Sequence, residues 1–185
     1  LLYTGANALP EDFWQRHGNG LKSWTDKGRT YYEVAMSEDA GWYPNQYLYL
    51  PGDDESEFRV TRVEGDKATL QIVDDFRHTQ HAVWGITARN REQNVALNAL
   101  MDPEVDFVTL LGTAGTGQTL LALAAGLTQT MDVQRYREII MTRATVSVGE
   151  DIGFLPGTEE EKMGPWMGAL DDNLEFLAKG DGGNA

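Results

Sequence analysis

The chain has 185 residues, enough for one medium domain or two small ones, and 41% of them are hydrophobic, which supplies a packed core and excludes wholesale disorder. Acidic side chains outnumber basic ones 29 to 15, and the formal net charge of −14 excludes broad electrostatic adhesion to nucleic acid or anionic membrane; any nucleic-acid contact needs a local basic path. Cysteine is absent, which removes disulfides and thiolate zinc sites, and no apolar run approaches membrane-spanning length.

The opening Leu1-Leu-Tyr-Thr-Gly5 lacks the basic region and apolar core of a signal peptide, and a start at Leu rather than Met reads as a fragment or a processed product. Residues 1 to 29 are expected to be irregular around one short helix: Pro10 suits a first turn, Glu11 and Asp12 its N-terminus, and Gly18 its end. Residues 30–84 read as β-rich. Thr30–Ala35 and Gln46–Leu50 are aromatic or apolar runs, and Pro51-Gly52 marks a turn. Phe58–Val63 and Ala68–Val73 flank Glu64-Gly65-Asp66-Lys67, a hairpin signal, so Asp74 and Asp75 fall at the end of a hairpin strand.

Trp14, Trp24, Tyr31, Tyr32, Trp42, Tyr43, Tyr47 and Tyr49 make this first part aromatic-rich. They fit either the core of a small domain or an exposed face that stacks bases. His78-Thr-Gln-His81 has no acidic or cysteine partner at ligand spacing and reads as a loop or strand end rather than a metal pair.

From Gly85 the character changes. Asn90 can cap a helix with Gln93 at the reciprocal position, and the helix Arg91–Met101 stops before Pro103. Phe107–Leu111 is apolar and partly β-branched, the pattern of a strand buried on both faces. A glycine loop follows, Gly112-Thr-Ala-Gly115-Thr-Gly117-Gln118-Thr119, and then a helix, Leu120–Leu127, that is apolar nearly all round and so is expected to be buried.

Strand, glycine loop and helix in this order form a phosphate-binding loop. Glycines let successive N–H groups close around phosphate oxygens, and a helix N-terminus adds free N–H groups and the positive end of its dipole. The set expected to bind nucleotide is Gly112, Thr113, Ala114, Gly115, Thr116, Gly117, Gln118, Thr119 and Leu120, with the Thr119 hydroxyl as Mg²⁺ ligand. The pattern expects Lys where this chain has Gln118, which can donate a hydrogen bond but carries no charge. Phosphate binding by the backbone can survive that change, while catalysis falls steeply. The bland alternative is a glycine turn without a ligand.

Tyr136–Met141 reads as the next buried strand, in a parallel βαβ unit with a right-handed crossover. Ligands of such sheets sit at the carboxyl ends of the strands, which puts Thr142 and Arg143 on the edge that carries the loop. Thr158 and Glu161 form a capping box for a further helix, and Trp166, Leu170, Leu174 and Leu177 a core-facing stripe; Gly180–Ala185 reads as an unstructured tail. An apolar strand ending in a second Mg²⁺-holding acid is not found after Thr119, so the nucleotide-binding fold is expected to stop halfway. Half a sheet exposes an unpaired edge, so residues 85–185 alone are expected to be poorly soluble or oligomeric.

Gly85-Ile-Thr-Ala-Arg89-Asn-Arg-Glu-Gln93, the Gly112–Thr119 loop, Ile139-Ile-Met-Thr142-Arg143 and the block from Val148 through Gly157 to Met167 resemble PhoH-family ATPases. The resemblance covers residues 85–178 well. Residues 1–84 look more weakly like the connector that joins an upstream PIN-type nuclease domain to the ATPase in longer members. The resemblance implies an α/β fold: the N-terminal half of a RecA-like P-loop NTPase domain at 85–185, preceded by a small β-rich module at 1–84. It also implies ATP with Mg²⁺, RNA as a partner of the intact parent, a homo-oligomeric ring and a cytosolic location without membrane contact. Gln93 would lie where helicase-like proteins read adenine, with the helix cap as its alternative role. Thr142 and Arg143 would lie near a nucleic-acid-contacting motif, Arg143 being otherwise an ordinary surface arginine. Three departures are expected to matter: Gln118 for lysine, Ala144 where proline is usual, and a sequence without the second half of the ATPase domain or the PIN domain, so nuclease activity is not assigned to it. The rival readings are a nucleotide-binding module without catalysis and a module in which residues 1–84 dock RNA or protein.

Overall fold

The computed structural model describes residues 5–18, 21–37, 39–142, 168 and 170–179. The chain divides into two compact units, Leu1–His78 with Ala88–Ala99, and Thr79–Thr87 with Leu100–Ala185. The fold is mixed α/β.

The first unit is built on β1 (Ala6–Ala8), α1 (Phe13–His17), β2 (Lys22–Asp26), β3 (Arg29–Ala35), β4 (Tyr47–Leu50), β5 (Asp53–Glu64) and β6 (Lys67–Ile72). The strands make one six-stranded sheet in the order β1-β4-β5-β6-β3-β2. Its ladders are antiparallel except where β1 runs parallel to β4. Lys27 and Gly28 join β2 to β3 with φ of 47° and 79°, the doubly positive turn whose twist matches a hairpin. Gly65, at φ 59°, serves the β5–β6 turn. The expected strands and α1 are therefore present, with Asp12 and Gly18 flanking the helix. β1 and β2 are additions to the expected set. Ala-Asn-Ala and Lys-Ser-Trp-Thr-Asp carry almost no apolar alternation, and they become strands by pairing with β4 and β3.

Side chains alternate across this sheet. One face buries Val34, Leu48, Phe58, Val60, Ala68 and Leu70 with Leu9 and with Phe13 of α1, and Trp14, Tyr32 and Trp42 pack around them. Burial of each large side chain stabilises by about 1.5–3 kcal/mol. For these three rings, and for buried Tyr47, the core reading holds. Trp24 and Tyr43 are exposed.

The helix α2 (Arg91–Met101) matches the expected bounds. Its N-terminal part docks within the first unit through a polar cluster on β5. Glu57 is nearly fully buried and accepts from Arg77 Nη1, Arg91 Nε and Asn94 Nδ2, each at 2.9 Å. Arg91 also lies over the Tyr49 ring, 3.9 Å from its centroid.

In the second unit, α3 (Gln118–Leu127) runs into a π-helical turn, Thr128–Asp132. α3 buries Leu121, Leu123, Ala124 and Ala125, as its composition predicts. Gln129 closes the end of α3: its Nε2 donates to Ala125 O and Leu100 O, each at 3.1 Å, and its Oε1 accepts from Arg135 Nη1 at 2.6 Å.

Two expected strands do not form. Phe107–Leu111 and Tyr136–Met141 are irregular, and Phe107, Leu111 and Ile140 are 87%, 81% and 77% exposed. A parallel strand exists only through neighbours that satisfy its N–H and C=O groups, and among the described residues neither segment has a ladder partner. The parallel βαβ unit is therefore absent from the described residues. Ile139 instead lies along α3, where a Cβ on Gly126 would come within 3.0 Å of its Cδ1. Arg143, the Thr158–Glu161 cap, Trp166 and the Gly180–Ala185 tail lie outside the described residues. Of the expected stripe, residues 170–179 are helical, with Leu177 buried and Leu174 exposed.

Candidate functional site

The glycine loop occupies the expected place before α3, and residues 111–116 are exposed. Gly115 and Gly117 have φ of 83° and 93°, the left-handed region that side chains resist. Gly117 is the N-cap of α3, and Leu121 N donates to Gly117 O at 2.9 Å, so the helix begins directly out of the loop. As in any α-helix, the first N–H groups have no intrahelical acceptor and point out of the N-terminus, toward whatever the loop holds. Thr119 stands exposed on this first turn.

Gly112 is crowded for a different reason. A Cβ there would meet Thr116 Oγ1 at 2.9 Å and would collide with the Gln118 amide. Gln118 thus folds back over the start of the loop, and its Nε2 reaches Thr113 O at 3.4 Å. Thr116 Oγ1 donates to the same carbonyl at 2.8 Å. Both side chains close on Thr113 from within the loop. The residue that departs from the lysine pattern therefore still points inward, with a neutral donor in place of an ammonium.

Gln93 sits in the other unit, at the start of α2. Its backbone N–H donates to Asn90 Oδ1 at 2.9 Å, and its Oε1 accepts from Arg89 N at 2.9 Å. The reciprocal cap is formed, so the side-chain carbonyl is engaged by the backbone. Thr142 is exposed at the end of the irregular segment that follows Ile139. His78 lies 3.3 Å from Asp75 and His81 ends a 3-10 turn; no group of three or more metal-ligating side chains occurs among the described residues.

The polar groups that sequence reasoning missed lie on the first unit. Burial works to raise the Asp75 carboxyl, but hydrogen bonds from the backbone N–H and guanidinium of Arg77, with the charges of Arg77 and His78, hold it below the usual carboxylate range. Burial likewise works against the Arg77 charge, and its bonds to Asp75 and Glu57 outweigh it. No motif announces these residues, because their chemistry comes from sheet register rather than spacing.

A left-handed glycine loop that opens into a helix N-terminus defines a P-loop protein. The PhoH-like protein family matches residues 85–182, over half of the chain, and the chain belongs to the PhoH family. Protein PhoH2 of Bacillus subtilis (strain 168) is 41% identical over 153 residues, which cover 81% of this chain and 34% of that protein. Protein PhoH2 of Thermobispora bispora is 43% identical over 114 residues, covering 61% of this chain and 25% of its own length. A PhoH-like protein of Bacillus subtilis (strain 168) is 38% identical over 76 residues, covering 41% of this chain and 24% of its own length. The chain thus spans about a third or less of the curated relatives it matches. No solved structure matches it. No helix among the described residues is long and apolar enough to cross a membrane.

Proposed function

We propose that residues 85–185 carry the nucleotide-binding first half of a RecA-like ATPase domain, behind a β-rich connector at 1–84, and that this half binds ATP with Mg²⁺. The observation that carries the reading is the loop: Gly115 and Gly117 are left-handed, and Gly117 caps a ten-residue helix that buries Leu121, Leu123, Ala124 and Ala125. The donor set fits a triphosphate. Backbone N–H groups of Gly112 to Leu120 would surround phosphate oxygens, and the exposed Thr119 hydroxyl would hold Mg²⁺. Bound Mg²⁺ offsets charge between the outer phosphates.

Gln118 decides between binding and turnover. Its amide can donate to a phosphate oxygen once released from Thr113 O, but it cannot neutralise charge that develops in phosphoryl transfer. The intact parent is read as an ATPase coupled to work on RNA, assembled as a cytosolic ring, with Thr142 and Arg143 near its nucleic-acid path. Gln93 is read as a helix cap before an adenine reader, since its Oε1 is already engaged. The neutral amide inside the loop also favours a second reading, a module that binds nucleotide without hydrolysing it.

Calorimetry of Mg-ATP binding to the chain and to Gln118→Lys tests this. Binding by both supports a backbone nest that suffices alone. Binding by the lysine variant only shows a formed loop that the amide disables. Binding by neither sinks the nucleotide reading for this chain.

A further inference from the structure

The sheet of the first unit has a second, polar face. On it Trp24 and Tyr31 stand directly opposite one another on β2 and β3. Their rings stack at 5.6 Å with 11° between the planes. Trp24 remains 37% exposed, and β2 is the edge strand, with no further strand beyond it among the described residues. Neither ring belongs to the apolar cluster that takes Trp14 and Tyr32.

Two ammonium groups lie on this face, one over the Trp24 ring and one across Glu33 from it. Lys22 Nζ lies 5.5 Å from the centre of Trp24. Lys22 and Lys67 both reach Glu33, at 3.7 and 3.5 Å, from largely exposed positions. One carboxylate thus balances one of two ammonium groups, and the cluster keeps a positive charge in a chain whose net charge is −14. By register the same face continues through half-buried Thr69 to Gln71, which is buried and accepts from Arg59 Nη2 at 3.1 Å. A base needs only a ring face to stack on and a cation for its phosphate.

We propose that this face docks single-stranded nucleic acid, with one base stacked against the exposed part of Trp24, in place of the Lys22 ammonium that lies over the ring, and the adjoining phosphates held by Lys22 and Lys67. The assignment rests on the reading that the parent works on RNA, and adds the surface that would hold the strand.

The test is fluorescence anisotropy of a labelled oligo(A) RNA of about 12 nucleotides, a length within the reach of one such platform, titrated with the intact chain over a salt series and without ATP. Trp24→Leu should weaken binding about tenfold while Trp24→Phe keeps most of it, as loss of one stacked base requires. Lys22→Gln and Lys67→Gln should each flatten the salt dependence, by roughly 0.7 in log–log slope per lost phosphate contact. Thermal melts establish that each variant is folded. No binding by the wild-type chain at low salt overturns the proposal, as does wild-type affinity in folded Trp24→Leu. If that variant unfolds, the two lysine variants decide, and an unchanged salt slope overturns it. Mg-ATP calorimetry runs separately: a chain that binds nucleotide but not RNA removes this surface and leaves the nucleotide reading standing.

Discussion

Asn94 and Glu57 are bonded through a single amide that faces two ways. Asn94 Nδ2 donates to Glu57 Oε2 at 2.9 Å, while its Oδ1 accepts from Phe76 N at 2.8 Å. Asn94 is fully buried, so α2, the middle of β5 and the turn after β6 are tied together where water cannot substitute. Asn94→Leu leaves the Phe76 N–H unpaired and removes one donor from a buried carboxylate. The expected loss is about 2–4 kcal/mol of unfolding free energy, since each unsatisfied buried group costs about 1–3 kcal/mol. Asn94→Asp should cost more at neutral pH, because it sets a second carboxylate against Glu57, and part of the loss should return on acidification. Urea unfolding of both variants at pH 7 and pH 5 checks the order.

Asp75 supplies a pH signature. Its folded carboxyl sits below the ordinary value of 3.8 because bonds from Arg77 outweigh the burial that would raise it. A depressed carboxylate contributes stability that is fully present above its unfolded value and is lost as pH falls through the folded one. Asp75→Asn should therefore narrow the gap between neutral and acid stability. The difference between wild type and variant should be constant from pH 7 to about pH 5 and should shrink below about pH 4. The side chain is 34% exposed, so solvent screens the effect and the gap is modest. A gap that widens in acid would contradict the assignment.

The first unit was legible where alternation and turn chemistry agreed. Tyr32 and Val34, Phe58 and Val60, Ala68 and Leu70 point inward at period two, and Gly65 marks the hairpin between β5 and β6. The cap of α2 was legible in Asn90 and Gln93, and the glycine loop with its helix in residues 112–127. β2 was not, because a strand with one ring among polar residues acquires its identity from the partner it pairs with. The reverse error concerned Phe107–Leu111. Its apolar run has the composition of a buried strand, but burial is conferred by neighbouring strands, and among the described residues none pairs with it.

That unpaired apolar surface predicts self-association. Phe107, Leu111 and Ile140 are large and exposed within the second unit, and an apolar surface that they shared with a second copy would be covered by association. Light scattering behind size exclusion should show a mass that rises with concentration. Phe107→Ser combined with Ile140→Ser should lower that mass and change melting stability by no more than about 0.5 kcal/mol per site, the usual range for exposed positions. A chain that stays monomeric at high concentration would remove the expectation.

Gln129 makes a further prediction inside the second unit. It caps carbonyls of Ala125 and Leu100 with one amide nitrogen and receives Arg135 on its oxygen. Gln129→Leu keeps the volume and removes all three bonds, and should cost about 1–3 kcal/mol. Gln129→Glu restores an acceptor for Arg135 but points a carboxylate at two carbonyls near the negative end of α3, so it should not recover the loss. Melting curves of the two variants should therefore fall together below wild type, and recovery by the glutamate would show that the Arg135 contact alone matters.

Gly112 and Gly115 separate two ways in which a loop can require glycine. Gly115 has open space around its missing Cβ and a φ of 83°, so Gly115→Ala meets backbone strain of roughly 1–2 kcal/mol and no clash. Gly112 has the opposite problem: a methyl there meets Thr116 Oγ1 and the Gln118 amide, so these two flexible side-chain ends must shift. Gly115→Ala should thus weaken Mg-ATP binding through loop shape whatever stands at position 118. Gly112→Ala should weaken it most in combination with Gln118→Lys, where the longer side chain competes for the same space. Calorimetry of the three single variants and the two doubles with Gln118→Lys reads this directly. Additive losses would mean that the methyl and the side chain at 118 do not share one volume, and that Gln118 does not lie inside the loop in solution.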